Sequence, residues 1–257
     1  MRALMLVAVM LVPGVNRAES PDMQMLKVGV DRAWIADIAS WSEYAFDRSL
    51  TRQSYDADGG TKSRQDLRFR VTPNGEGGFD ELLLEIDGRK PTSGEIKEHR
   101  KKGVFTKHFR QADELNLENP LGEDLALLPI IQAQDHEYFG EDEVDGIACH
   151  RTTFEARPAP EKASIREMLK YAIKGSACFS IDGSHLVEFE METVRALNKG
   201  VLGMNSLRMV LRGQPVGDAW LPREVRLRSD VVLLGKRIRR SNAWYYSNFQ
   251  HQPSRHP

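Results

Sequence analysis

Apolar and polar residues alternate one by one along most of this chain, and the longest such run lies near its end. From Trp220 to Phe249, Leu221, Val225, Leu227, Val231 and Leu233 alternate with Glu224, Arg226, Arg228 and Asp230. A period of two means a strand with one buried and one wet face, and the run predicts two long antiparallel strands joined at Gly235-Lys236. Strands of this length exceed those of an ordinary sandwich and suit a wide curved sheet or an open barrel.

The same alternation recurs upstream. Tyr44, Phe46, Arg48 and Leu50 share one side of a first strand, Asp58-Gly59-Gly60 supplies a hairpin turn, and Leu67, Phe69 and Val71 mark the second strand. Phe79 to Ile86 predicts a third, with Leu82, Leu84 and Ile86 on one face. Glu137–Glu143 and Ile147–Arg157 predict a hairpin around Asp145-Gly146, and Ala177–Asp182 with Leu186–Val194 another, with Val187, Phe189 and Met191 inward. Leu207, Met209 and Leu211 mark one more strand. Helical spacing appears in three places. Met23, Leu26, Val30, Trp34 and Ile38 form one stripe, Ser93 is placed to cap a charged helix running to about Lys102, and Leu121–Ile131 reads as a short apolar helix. Ile165–Ile173 is a short helix or a loop. The sum is α+β and mainly antiparallel: about ten strands and few helices, with no linker or repeat to divide the chain.

The first residues read differently. Arg2, the apolar run Ala3–Val12, Pro13-Gly14 and the small or polar residues after them have the build of an export signal. Cleavage is expected after Ala18, leaving 19–257 as a single domain, although an uncleaved anchor fits the same residues. No cysteine stands near that point, so no lipidation is expected, and in a bacterium with two membranes the destination is the periplasm. Cys149 and Cys178 suit an oxidising compartment. They fall in two predicted strands, and the sequence leaves open a cross-strand disulfide or two separate thiols.

The net charge of −1 conceals an asymmetry. Gln111 to His150 contains many acids and no Lys or Arg, whereas Arg208, Arg212, Arg223, Arg226, Arg228, Lys236, Arg237, Arg239 and Arg240 crowd the last third. Either these are two solvated faces, or the basic one meets anionic headgroups or an acidic partner. An exported chain meets no nucleic acid.

Dispersed motifs carry a family resemblance: the hairpin at Tyr55-Asp56 and Asp58-Gly59-Gly60, Val144-Asp145-Gly146, Phe179-Ser180-Ile181-Asp182, Trp220-Leu221-Pro222 and Tyr246-Ser247-Asn248-Phe249. In this order the chain resembles the LolA-like family of outer-membrane lipoprotein-sorting proteins, over most of its mature length. The resemblance implies a LolA/LolB-like open half-barrel with helices covering its concave face, enclosing a cavity that shields acyl chains in transit. The implied lining is Trp34 and Ile38 from the first helix, and Leu67, Phe69, Val71, Leu82, Leu84, Ile86, Val187, Phe189, Met191, Leu207, Met209, Leu211, Val225, Leu227, Val231 and Leu233 from the sheet. Each of these also serves as plain core. The implied function is a monomeric, non-catalytic carrier without cofactor or metal, taking lipid or lipoprotein cargo between inner- and outer-membrane partners. The middle segment is longer and more acidic than in lipoprotein carriers, which leaves the cargo open. The alternative on the same fold is an RseB-like module that senses lipid or binds a protein.

An exported hydrolase is the remaining class. The sequence has no G-x-S-x-G and no H-E-x-x-H. Cys149-His150 would point to opposite faces of a strand. Glu188, Glu190 and Glu192 share a face expected to meet solvent, and His251 and His256 read as tail residues.

Overall fold

A computed structural model describes residues 37, 40–74, 79–102, 116–118, 124–126, 133–160 and 163–252. The elements in chain order are β1 (Tyr44–Tyr55), β2 (Thr61–Pro73), β3 (Phe79–Ile86), α1 (Ser93–Lys102), β4 (Asn116–Glu118), β5 (Asp124–Ala126), β6 (Glu137–Val144), β7 (Ile147–Phe154), α2 (Ile165–Tyr171), β8 (Ile173–Ser180), β9 (Leu186–Thr193), β10 (Leu197–Lys199), β11 (Leu202–Val216), β12 (Ala219–Leu233) and β13 (Lys236–His251).

Eleven strands form one antiparallel sheet in the order β3-β2-β1-β13-β12-β11-β9-β8-β7-β6, with β10 paired to β11. The order does not close, so the sheet is an open half-barrel edged by β3 and β6. Hairpins join most neighbours, because paired residues such as Asp145-Gly146 (φ 52° and 84°) adopt the left-handed conformation that matches strand twist. Three neighbouring pairs are joined otherwise: β7 and β8 through α2, β9 and β11 through β10, and β1 with β13 at a seam that sets Leu50 opposite Trp244. There the described ends meet, and the Gln252 N–H donates to the Glu43 carbonyl at 2.7 Å.

One apolar cluster covers the inner face from β3 to β7, including Phe46, Phe69, Phe154, Phe189, Met209 and Val231. Short helices lie against it. Leu169 of α2 is buried in this cluster, and the His99 ring of α1 meets Phe69 edge-on at 5.7 Å.

The helix starts show how local chemistry sets boundaries. The cap of α1 is Thr92 and not Ser93: the Glu95 N–H donates to Thr92 Oγ1 at 3.3 Å, and the Thr92 N–H to Glu95 at 2.8 Å. Ser164 and Glu167 form the same reciprocal box before α2, deciding that segment as a helix. The helix expected at Leu121–Ile131 is corrected where it is described, since Asp124–Ala126 is extended and pairs with β4. Of the helix expected up to Ser40, only Asp37 and Ser40 are described, and both are helical. Its stripe, like the leader at 1–18, lies outside the described residues.

Candidate functional site

Strand register builds the inner face as rows of side chains. One row runs Leu67, Leu50, Trp244, Val225, Leu211, Phe189, Ala177 and Thr152 across eight strands. The next runs Gln65, Arg52, Asn242, Leu227, Met209, Met191, Gly175 and Phe154. Both rows are apolar from β12 to β8, and the second turns polar on β13, β1 and β2. Gly175 belongs in its row for a steric reason: a Cβ there would run into the Glu190 backbone and the Phe154 ring.

Leu67, Phe69, Val71, Ile86, Phe189, Met191, Leu207, Met209, Leu211, Val225, Leu227 and Val231 all lie in the inner cluster. The structure moves others. Leu82 is 46 % exposed, because a bulge opposite Arg68/Phe69 shifts β3 by one residue and turns Leu83 inward instead. Leu84, the extra residue of that bulge, is half-buried. Val187 packs on the opposite face with Val144, Cys149 and Cys178, since a second bulge at Cys178/Phe179 displaces it. Leu233 is exposed at the end of β12. Trp34 and Ile38 lie outside the described residues. The implied lining omitted Leu50 and Leu221, although the alternation had placed them on the apolar side of their strands, and it omitted Phe154 and Trp244 as well.

A charged pair lies on the same inner face. Arg48, only 4 % exposed, forms an ion pair with Glu81 and places its guanidinium 4.8 Å from the centre of the Phe69 ring. Burial pushes the Glu81 carboxyl above its ordinary range, against the pull of Arg48. Burial likewise drives the Tyr246 hydroxyl up to about 12.

The outer face is ionic. Glu188 accepts from Arg151 at 3.2 Å and from Arg212 at 2.7 Å, and Arg212 reaches on to Glu224 at 3.4 Å. This ladder explains how Glu188 and Glu224 are buried, where sequence placed Glu188 in solvent. Beside it lies a hollow of about 250 Å³ lined by Lys174, Ser176, Glu190, Glu192 and Arg208, too polar for acyl chains.

Cys149 and Cys178 are joined by a disulfide between neighbouring strands, their Cα atoms 5.6 Å apart. Because β7 is a regular strand, Cys149 and His150 face opposite ways. His251 ends β13, pairs with Tyr44 and lies 3.4 Å from Glu43, so it is a strand residue and not part of a tail. His256 lies outside the described residues. Among the described residues no group of three His, Cys, Asp or Glu is placed to hold a metal ion, and no helix is long and apolar enough to cross a membrane.

No protein-family model matches the sequence, and comparison with curated proteins finds no match. Solved structures do resemble it. A LolA superfamily protein from Nitrosomonas europaea is 10 % identical with a TM-score of 0.34, over 91 % of this chain and 94 % of that one. An outer-membrane lipoprotein-sorting domain from Vibrio parahaemolyticus is 12 % identical with a TM-score of 0.36, over 87 % and 93 %. The MucA/MucB complex of Pseudomonas aeruginosa contains a chain 8 % identical with a TM-score of 0.26, over 85 % and 98 %. The open half-barrel itself stands on the strand order and register described above, independent of these likenesses.

Proposed function

We propose that this chain is an exported, non-catalytic carrier that holds acyl chains against the inner face of its half-barrel, in the periplasm and as a single domain. The observation behind this reading is the apolar inner face, continuous from β12 to β8. Strands sit about 4.8 Å apart, so the four strands from β12 to β8 span roughly 15 Å, more than α2, whose seven residues span roughly 10 Å. The side chains of that face are buried, with Phe189, Met209 and Val231 at 0 % exposure, so a flexible apolar guest enters by displacing what covers them, and among the described residues the helices are short enough to be moved aside. Each methylene removed from water contributes about 0.8 kcal/mol, so long acyl chains bind firmly with no reactive group.

Trp244, half-buried in the first row between Leu50 and Val225, reports on that guest. A brominated fatty acid added to the purified chain should quench tryptophan emission saturably, and Trp244→Phe should remove the largest part of the quench. Absence of saturable quenching in the unaltered chain would make the inner face closed core, and a protein-binding module would then become the better reading.

A further inference from the structure

The end of the sheet that carries the β10–β11 and β12–β13 turns gathers three exposed aliphatic side chains. Val201, in the first turn, is 64 % exposed, and Leu234, in the second, is 75 % exposed. Their backbones touch, with the Leu234 N–H donating to the Val201 carbonyl at 3.0 Å. Leu233 beside them is exposed as well, across from Leu202 in the ladder.

Leu234 is unfavourable twice over. Its φ of 51° lies in the left-handed region that favours Gly, Asn and Asp over a bulky side chain, and its isobutyl group gains nothing by burial in the chain. Other turns of this kind in the sheet carry the expected residues, Asp87-Gly88 and Asp145-Gly146. A strained residue that also exposes an apolar side chain points to a use outside the fold.

The surrounding charge indicates what kind of use. Lys236 and Arg240 follow within six residues of Leu234 and are exposed, Arg237 is exposed and paired with Asp230, and Lys199, two positions before Val201, is exposed with its ammonium donating to the Ala163 carbonyl at 2.9 Å. Of the acids nearby, only Asp230 is offset by arginines, while Asp56 and Asp58 keep their charge. Asp230 is bound by Arg237, by Arg239 at 3.3 Å and by Asn205 at 3.0 Å. Asp56, on the adjacent β1–β2 turn, accepts from the Asp58 and Gly60 N–H groups of its own turn. Asp58 lies exposed in that turn. The excess is positive. Protruding aliphatic side chains ringed by Lys and Arg match a bilayer interface, where apolar groups enter the headgroup boundary and cations meet anionic lipid.

We infer that Val201, Leu233 and Leu234, with the cations around them, form a docking tip for an anionic lipid bilayer. This surface is separate from the inner face and does not depend on acyl-chain carriage.

The test is co-flotation of the full chain with vesicles of phosphatidylcholine containing about a third phosphatidylglycerol, and with phosphatidylcholine alone. The unaltered chain should float with the anionic vesicles and far less with the neutral ones. Leu234→Asn suits the left-handed turn, so its thermal midpoint should be unchanged or raised, while flotation falls about tenfold. Lys236→Glu should lower flotation on the anionic vesicles only. Quenching by the brominated fatty acid should be the same in Leu234→Asn as in the unaltered chain, which separates this surface from the inner one. Failure of the unaltered chain to float, or full flotation of a folded Leu234→Asn, would overturn the assignment.

Discussion

Asp37 ties the segment before β1 to the far side of the molecule. Its carboxylate lies 3.1 Å from His185 Nδ1, and the His185 ring stacks on Trp220 at 4.8 Å. Burial pushes its pKa up to about 6, opposed by the His185 hydrogen bond and charge. Because the folded value exceeds the ordinary 3.8, this group stabilises the fold most fully below pH 4, and the contribution is lost as pH rises through 6. The stability of the unaltered chain relative to Asp37→Asn should therefore fall between pH 4 and pH 7, by up to roughly 3 kcal/mol. Urea midpoints across that range measure it, and a constant difference would mean that Asp37 keeps an ordinary pKa in the fold. Neither partnership is legible in the sequence, since Asp37 and His185 lie far apart in it. Residue-scale reading also failed at Leu82 and Val187. Alternation assumes an unbroken register, and one extra residue in a bulge flips every side chain beyond it.

The elements were far more legible than the residues. β1 to β3, β6 to β9 and β11 to β13 follow runs of alternation, most of them closed by Gly, Asn or Asp, a signal that survives an error of one position. Short segments were not legible. β5 comes from a stretch whose apolar density suits a helix, and only its pairing with β4 decides it. The disulfide belongs to this scale, because the proximity of Cys149 and Cys178 follows from β7–β8 register. It closes a loop over 29 positions that contains α2. The chain-entropy estimate for a loop of this size is about 3 to 4 kcal/mol. Replacing both cysteines with alanine should lower stability by about 2 to 4 kcal/mol. Hydrogen exchange should then quicken first in β6 and β7, the edge that this bond fastens to β8. Unchanged exchange there would assign the edge its stability from the ladder and from Val144 and Val187.

At the scale of the whole molecule, the two faces divide the work. Apolar rows line the inside of the half-barrel, an ion ladder of Arg151, Glu188, Arg212 and Glu224 stiffens the outside, and exposed aliphatic turns mark one end. Sequence could indicate an open sheet with one apolar side. It could not indicate the seam between β1 and β13, which joins segments nearly two hundred positions apart, nor that a buried Arg48–Glu81 pair sits on the apolar side. The central claim is that the inner face holds acyl chains, and native mass spectrometry of the chain purified from the periplasm without detergent, followed by solvent extraction, tests it most directly. The account predicts a bound acyl species close to one per chain, identified in the extract. A clean apo mass, with no uptake of added fatty acid, would contradict it.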